Sequence, residues 1–172
     1  MRTKNKTILM LKGYLKPFLL CLPLIFGCVS KSEAQTTITI GTGTLTQTTI
    51  PLCRTTLFSA SELLYTAAEM GNPASGTSVS QIGFFKGAGT NVANITGVTV
   101  YMKMTPATTV TSPASTTGYT QVFSGPVTNP AAGNWMTINL TTPFTLSTNN
   151  LSILIVKGTQ ATLGAAGTPA FR

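Results

Sequence analysis

The chain has no aspartate and no histidine, and only three acidic residues, Glu33, Glu62 and Glu69, among its 172 positions. Without histidine it lacks the usual general base, the usual activator of a serine or cysteine nucleophile, and the commonest metal ligand. Cysteine is equally scarce. Cys21 and Cys28 lie at the front of the chain, so Cys53 stands alone in residues 35–172. No internal disulfide is open to that stretch, and its stability must come from packing. A lone thiol without a histidine is expected to be a small, semi-buried apolar side chain. Long apolar runs are missing too. Phe18–Phe26 is nine residues long, well short of the roughly 20 that span a bilayer, so no membrane span is expected.

Positive charge looks abundant, with a formal +8, but it is unevenly placed. Six of the eleven basic residues lie at or before Lys31. Residues 35–172 keep Arg54, Lys86, Lys103, Lys157 and Arg172 against Glu62 and Glu69, a net of +3. These are scattered, without a basic stripe or interleaved aromatics, which argues against nucleic-acid binding.

The front of the chain has the organisation of an export signal. Arg2, Lys4, Lys6, Lys12 and Lys16 precede the short apolar run, and Ser32-Glu33-Ala34 followed by Gln35 fits a small-x-small cleavage site. Residues 1–34 are therefore assigned as a signal peptide and residues 35–172 as one domain. A second end is open: Ile25-Phe26-Gly27-Cys28 resembles a lipoprotein box, in which Cys28 would carry the lipid anchor. The bulky Phe26 favours cleavage after Ala34. The destination is secretion or the outer cell surface, by lipid anchoring in the second case.

Threonine fills 31 of the 138 positions after Ala34. It is β-branched, favours strands, and keeps a solvent-facing side wet. Short alternating runs separated by Gly, Pro, Asn and Ser clusters predict an all-β, antiparallel β-sandwich of jelly-roll type. The expected strands are Thr37–Ile40, Gln81–Lys86, Val98–Met104, Tyr119–Ser124, Trp135–Leu140 and Leu151–Val156. In Val98–Met104 the set Val98, Val100, Met102 and Met104 should face the core. Leu151–Val156 is apolar on both faces and should be central. Gly125-Pro126 and Pro143-Phe144 are expected to stop the strands before them, with Phe144 plugging one end of the core. Leu63–Tyr65 leads into Thr66–Met70, where helix (Ser59 and Glu62 have capping-box spacing) and a strand with one helical turn are both open. Residues 105–118 are a low-complexity loop. Residues 164–172 are expected to be small and flexible, without a closing strand. Six or seven strands fall short of the eight of a jelly roll, so the sandwich is expected to be incomplete at its C-terminus and the chain a piece of a longer protein.

Taken in order, Ile40–Thr44, Leu64–Met70, Thr99–Thr105, Gln121–Gly125, Trp135–Phe144 and Leu151–Val156 resemble the N-terminal β-sandwich module of large secreted and cell-surface proteins of Bacteroidota-type bacteria. The resemblance covers about residues 38–157. It implies a parent with fibronectin type III repeats and a type IX secretion sorting domain, and it implies no catalytic residues.

Chemistry is thinly supplied. Glu62 and Glu69 could serve two-carboxylate glycoside hydrolysis only across a sugar cleft; the plainer expectation is that one caps a turn and the other is solvated. Zinc lacks ligands. Calcium could use Glu69 with backbone carbonyls. No cofactor is expected. Trp135, Tyr101, Tyr119 and Phe85 should point outward by alternation, where exposed rings could stack on sugars; covering the sandwich edge or facing a neighbouring domain is the plainer expectation. Asn94-Ile-Thr96, Asn139-Leu-Thr141 and Asn150-Leu-Ser152 match the glycosylation triplet but are read as ordinary strand and turn residues. The expected role is adhesion or architecture, with an extracellular protein, a polysaccharide or neighbouring domains as partner. A carbohydrate-binding module of a larger degradative enzyme is the alternative.

Overall fold

The structure, a computed structural model, describes residues 35–41, 43–110, 115–158 and 167–172. The leader assigned to residues 1–34, Cys28 included, and residues 111–114 of the low-complexity loop lie outside the described residues. Ile38–Arg172 forms a compact unit. Its described residues carry seven strands: β1 (Ser59–Tyr65), β2 (Ser78–Ala88), β3 (Ile95–Thr105), β4 (Thr120–Val127), β5 (Asn134–Thr145), β6 (Asn150–Lys157) and β7 (Ala170–Phe171). They form two antiparallel sheets, ordered β1-β6-β3-β4 and β5-β2-β7. Only β3 to β4 is a hairpin within one sheet; every other connection crosses between sheets, as in a jelly roll. The chain is an all-β sandwich. Among the described residues no helix is long and apolar enough to cross a membrane.

The core follows the alternation. Val98, Val100 and Met102 of β3 are fully buried, against Phe84 of β2 and Met136, Ile138 and Leu140 of β5. From β6, Leu151, Ile153 and Ile155 enter the same core, while Ser152 and Leu154 are buried on the other face. β6 is thus central and covered on both sides. Each such side chain contributes roughly 1.5–3 kcal/mol by leaving water. Phe144 is half-buried against the core.

Several expectations are corrected. Thr37–Ile40 forms no strand, and Ile38 and Ile40 are 47 % and 36 % exposed. Alternation supplies a face but no partner edge, and strands need both. Pro126 and Pro143 do not stop their strands: β4 continues to Val127 and β5 to Thr145. Both are edge strands, where the missing N–H of proline need not break a ladder. Residues 164–166 of the expected loose tail lie outside the described residues, but Ala170 and Phe171 are buried and pair with β2 as β7, a closing strand that was not expected. Gln47 then bridges Phe171 on the far side of β7.

After β1 the chain makes one helical turn instead of a helix. Met70 N donates to Thr66 O at 3.1 Å. The capping box is Thr66 with Glu69, not Ser59 with Glu62: Thr66 N donates to Glu69 Oε2 at 2.8 Å, and Glu69 N to Thr66 Oγ1 at 3.2 Å. Gly71, at φ +74°, ends it as a Schellman motif, with Asn72 N donating to Ala67 O and Gly71 N to Ala68 O. The turn delivers Met70 into the core.

On one side the two sheets are tied by Thr141 Oγ1 of β5, which donates to Val122 O of β4 at 3.0 Å. On the opposite side, where β1 faces β2 and β7, an apolar slit of about 210 Å³ stays open.

Candidate functional site

Both described carboxylates are engaged by their own chain. Glu69 Oε2 accepts from Thr66 N and from Thr66 Oγ1, each at 2.8 Å. Those bonds, from the backbone first and the hydroxyl second, hold its carboxyl below the ordinary range. Glu69 is the carboxylate that calcium could use with backbone carbonyls. Among the described residues there is no group of three or more His, Cys, Asp or Glu that could hold a metal.

Glu62 sits on β1, opposite Leu154 of β6, on the outer face of the four-stranded sheet. Its Oε1 accepts from Tyr119 Oη at 2.7 Å and from Ser152 Oγ at 2.9 Å, and the two hydroxyls lie 2.6 Å apart. Ser152 is fully buried, so this triangle satisfies a hydroxyl that water cannot reach. Lys103 Nζ lies 4.2 Å from the centre of the Tyr119 ring, a cation–π contact. Burial, and then the bond to Glu62, push the Tyr119 hydroxyl up to about 12. Tyr101 is half-buried on the same sheet, opposite Leu154. The cluster ties β1, β6 and the residue before β4 together.

Trp135 and Phe85 belong to the other sheet, so the four rings considered for sugar stacking fall on two surfaces. Trp135 is 50 % exposed. It lies over Gly83, where a Cβ would come 3.4 Å from its Cε3, and meets Phe85 edge to face at 5.5 Å and 78°. Arg172 Cζ lies 4.6 Å from the centre of the Phe85 ring. Next along the strands, Gln81 Nε2 donates to Asn139 Oδ1 at 2.6 Å. Trp135, Phe85, Gln81 and Asn139 share one face, because Phe85 pairs with Trp135 and Gln81 with Asn139. Only Trp135 and Phe85 were singled out by alternation; Gln81, Asn139 and Arg172 needed the register between β2 and β5.

The least expected feature is charge inside the fold. Lys86, Lys157 and Arg54 are buried. Lys86 Nζ donates to Asn91 O, Asn129 Oδ1 and Pro130 O at 2.5, 3.1 and 2.7 Å. Lys157 Nζ donates to Thr56 O and Leu57 O at 2.6 and 2.8 Å. Desolvation, and then the Arg54 charge, pull both ammonium groups below the ordinary lysine range. Each lysine holds carbonyls of loops that lack a strand partner, which is structural work.

Cys53 is buried and lines an open cleft of about 400 Å³ beside β1, with Ile50, Phe58 and Glu62. Burial raises its thiol, but hydrogen bonds with Thr55 and Thr56 outweigh that and leave it below the ordinary value. The chain has no histidine to pair with it. No protein-family model, curated protein or solved structure matches the chain.

Proposed function

We propose that this chain is a non-enzymatic, exported β-sandwich module of a secreted or cell-surface protein, serving adhesion or architecture. The observation that carries the reading is that Glu62 and Glu69 each accept two hydrogen bonds from within the fold. Acid–base chemistry needs a positioned titratable pair facing a substrate, and these two sit apart, one in a turn and one in a sheet-face triangle. The leader of residues 1–34 and the resemblance to Bacteroidota-type surface modules support the same reading. Screening the purified chain on glycosides, esters and peptides should give no turnover. Turnover that disappears in Glu62→Gln or Glu69→Gln would overturn it.

A second reading, a carbohydrate-binding module, is favoured by one observation: the half-exposed Trp135 ring backed by Gly83 and flanked by Gln81 and Asn139. An aromatic face beside amides is the chemistry that grips a sugar. A polysaccharide pull-down with wild type and Trp135→Ala separates the two. Retention lost in the variant supports sugar binding; equal behaviour of the two leaves Trp135 a surface ring.

A further inference from the structure

We propose that the chain forms a two-fold dimer in which Thr37–Ile40 of each copy adds as an antiparallel strand to the open edge of β2 in the other. The proposal rests on the non-enzymatic reading and names its partner, a second copy of this chain.

The acceptor is an unfinished sheet. β2 pairs with β5 from Ser78 to Lys86, but β7 reaches it only at Lys86 and Ala88. Arg172 N donates to Phe85 O at 2.9 Å, so Phe85 turns its carbonyl toward the β7 side. By the period of two, Gln81 and Gly83 turn their N–H and C=O the same way. No strand meets them there among the described residues. Such an edge is a template for another strand.

Beside that edge lies the apolar slit, lined by Leu45, Ile50, Leu63, Tyr65, Phe84 and Phe171. Its volume of about 210 Å³ exceeds the roughly 150 Å³ of an apolar cavity that admits benzene. Aliphatic side chains from an added strand therefore have somewhere to go.

The donor is an unpaired strand sequence. Thr37-Ile38-Thr39-Ile40 alternates, adopts no strand, and leaves Ile38 and Ile40 partly exposed, at 47 % and 36 %. Added to β2, the isoleucines would enter the slit and the threonines would face solvent.

Direction selects the second copy. Gln47 is antiparallel to Phe171, and β7 is antiparallel to β2. The chain leading into Gln47 therefore runs parallel to its own β2, whereas every pairing in both sheets is antiparallel. The donor also leaves from beside its own acceptor: Leu45 lines the slit five residues after Ile40, a reach of about 17 Å. A two-fold axis then closes both exchanges in one isologous interface.

Sedimentation velocity of the full chain over the micromolar range should show a concentration-dependent dimer. The double variant Ile38→Asp, Ile40→Asp should be monomeric with an unchanged far-ultraviolet circular dichroism spectrum. Amide exchange at Gln81 and Gly83 should slow about tenfold on dimerisation of the wild type and not in the variant. A wild type that stays monomeric, a variant that still dimerises, or exchange at Gln81 and Gly83 that ignores concentration would each overturn the proposal. Those outcomes leave the non-enzymatic reading standing, since its own failure appears as turnover.

Discussion

In the four-stranded sheet, β6 has partners on both sides, β1 along Leu151–Lys157 and β3 along Asn150–Lys157. In the three-stranded sheet, β2 has a full partner on one side and the two-residue β7 on the other. The consequences reach the side chains. β6 is buried on both faces and carries Ser152 and Leu154 inside. β2 buries Phe84 and Lys86 toward the core but leaves Gln81, Gly83 and the slit beside them open. The central strand of one sheet is paired on both sides; that of the other has, among the described residues, unpaired positions on its β7 side at Gln81 and Gly83.

The buried lysines sharpen that contrast, and they carry the largest expected effect. Lys86 lies on β2 and Lys157 ends β6, so each central strand places one ammonium inside. Lys86 holds three acceptors and Lys157 two. Methionine in place of either keeps the stem and strands the carbonyls, and an unsatisfied buried acceptor costs about 1–3 kcal/mol. Lys86→Met is therefore expected to lower the unfolding free energy by about 3 kcal/mol and Lys157→Met by about 2 kcal/mol, read by urea denaturation. The larger loss falls on Lys86, because it anchors three acceptors in the loops around Asn91 and Pro130 where Lys157 anchors two. A smaller cost for Lys86→Met than for Lys157→Met would break this account.

Much of the fold was legible in local pattern. The period of two in Val98–Met104 and Trp135–Leu140 marks the core faces, and the doubly apolar Leu151–Val156 marks the central strand. What local pattern lacks is the identity of neighbours. Thr37–Ile40 alternates as well as β3 does, yet pairing is decided by an edge elsewhere in the chain. Pro126 and Pro143 look like stops until their strands are known to be edges. Lys86 finds its acceptors at Asn129 and Pro130, more than 40 residues on, so nothing beside it in sequence announces burial. The Thr66–Glu69 box was visible by spacing, but the same spacing at Ser59 and Glu62 competed with it. Of the surface rings, alternation placed Trp135 and Tyr101 outward, while their assignment to different sheets required the topology.

The finest test of the self-satisfied sheet is its response to alkali. Tyr119 closes the Glu62–Ser152 triangle on the outer face of the four-stranded sheet, with Lys103 against its ring. Its hydroxyl is raised to about 12 in the fold, by burial first and by Glu62 second, against about 10 in an unfolded chain. Between those values the unfolded state has given up the proton and the folded state has kept it. The contribution of Tyr119 is therefore complete below about pH 10 and is lost as the pH climbs toward about 12. Tyr65, raised by burial and by Glu69, adds a loss of the same sign. Lys86 and Lys157, lowered in the fold, act oppositely, since stability gains as their unfolded forms stay protonated up to about pH 10.4. Subtracting Tyr119→Phe from wild type cancels these shared terms. The difference in denaturation midpoint should be flat through neutral pH and shrink above about pH 10. A difference that stays constant to about pH 12 would mean that the Tyr119 proton is not held by Glu62, and that this face is as open to solvent as the edge of β2.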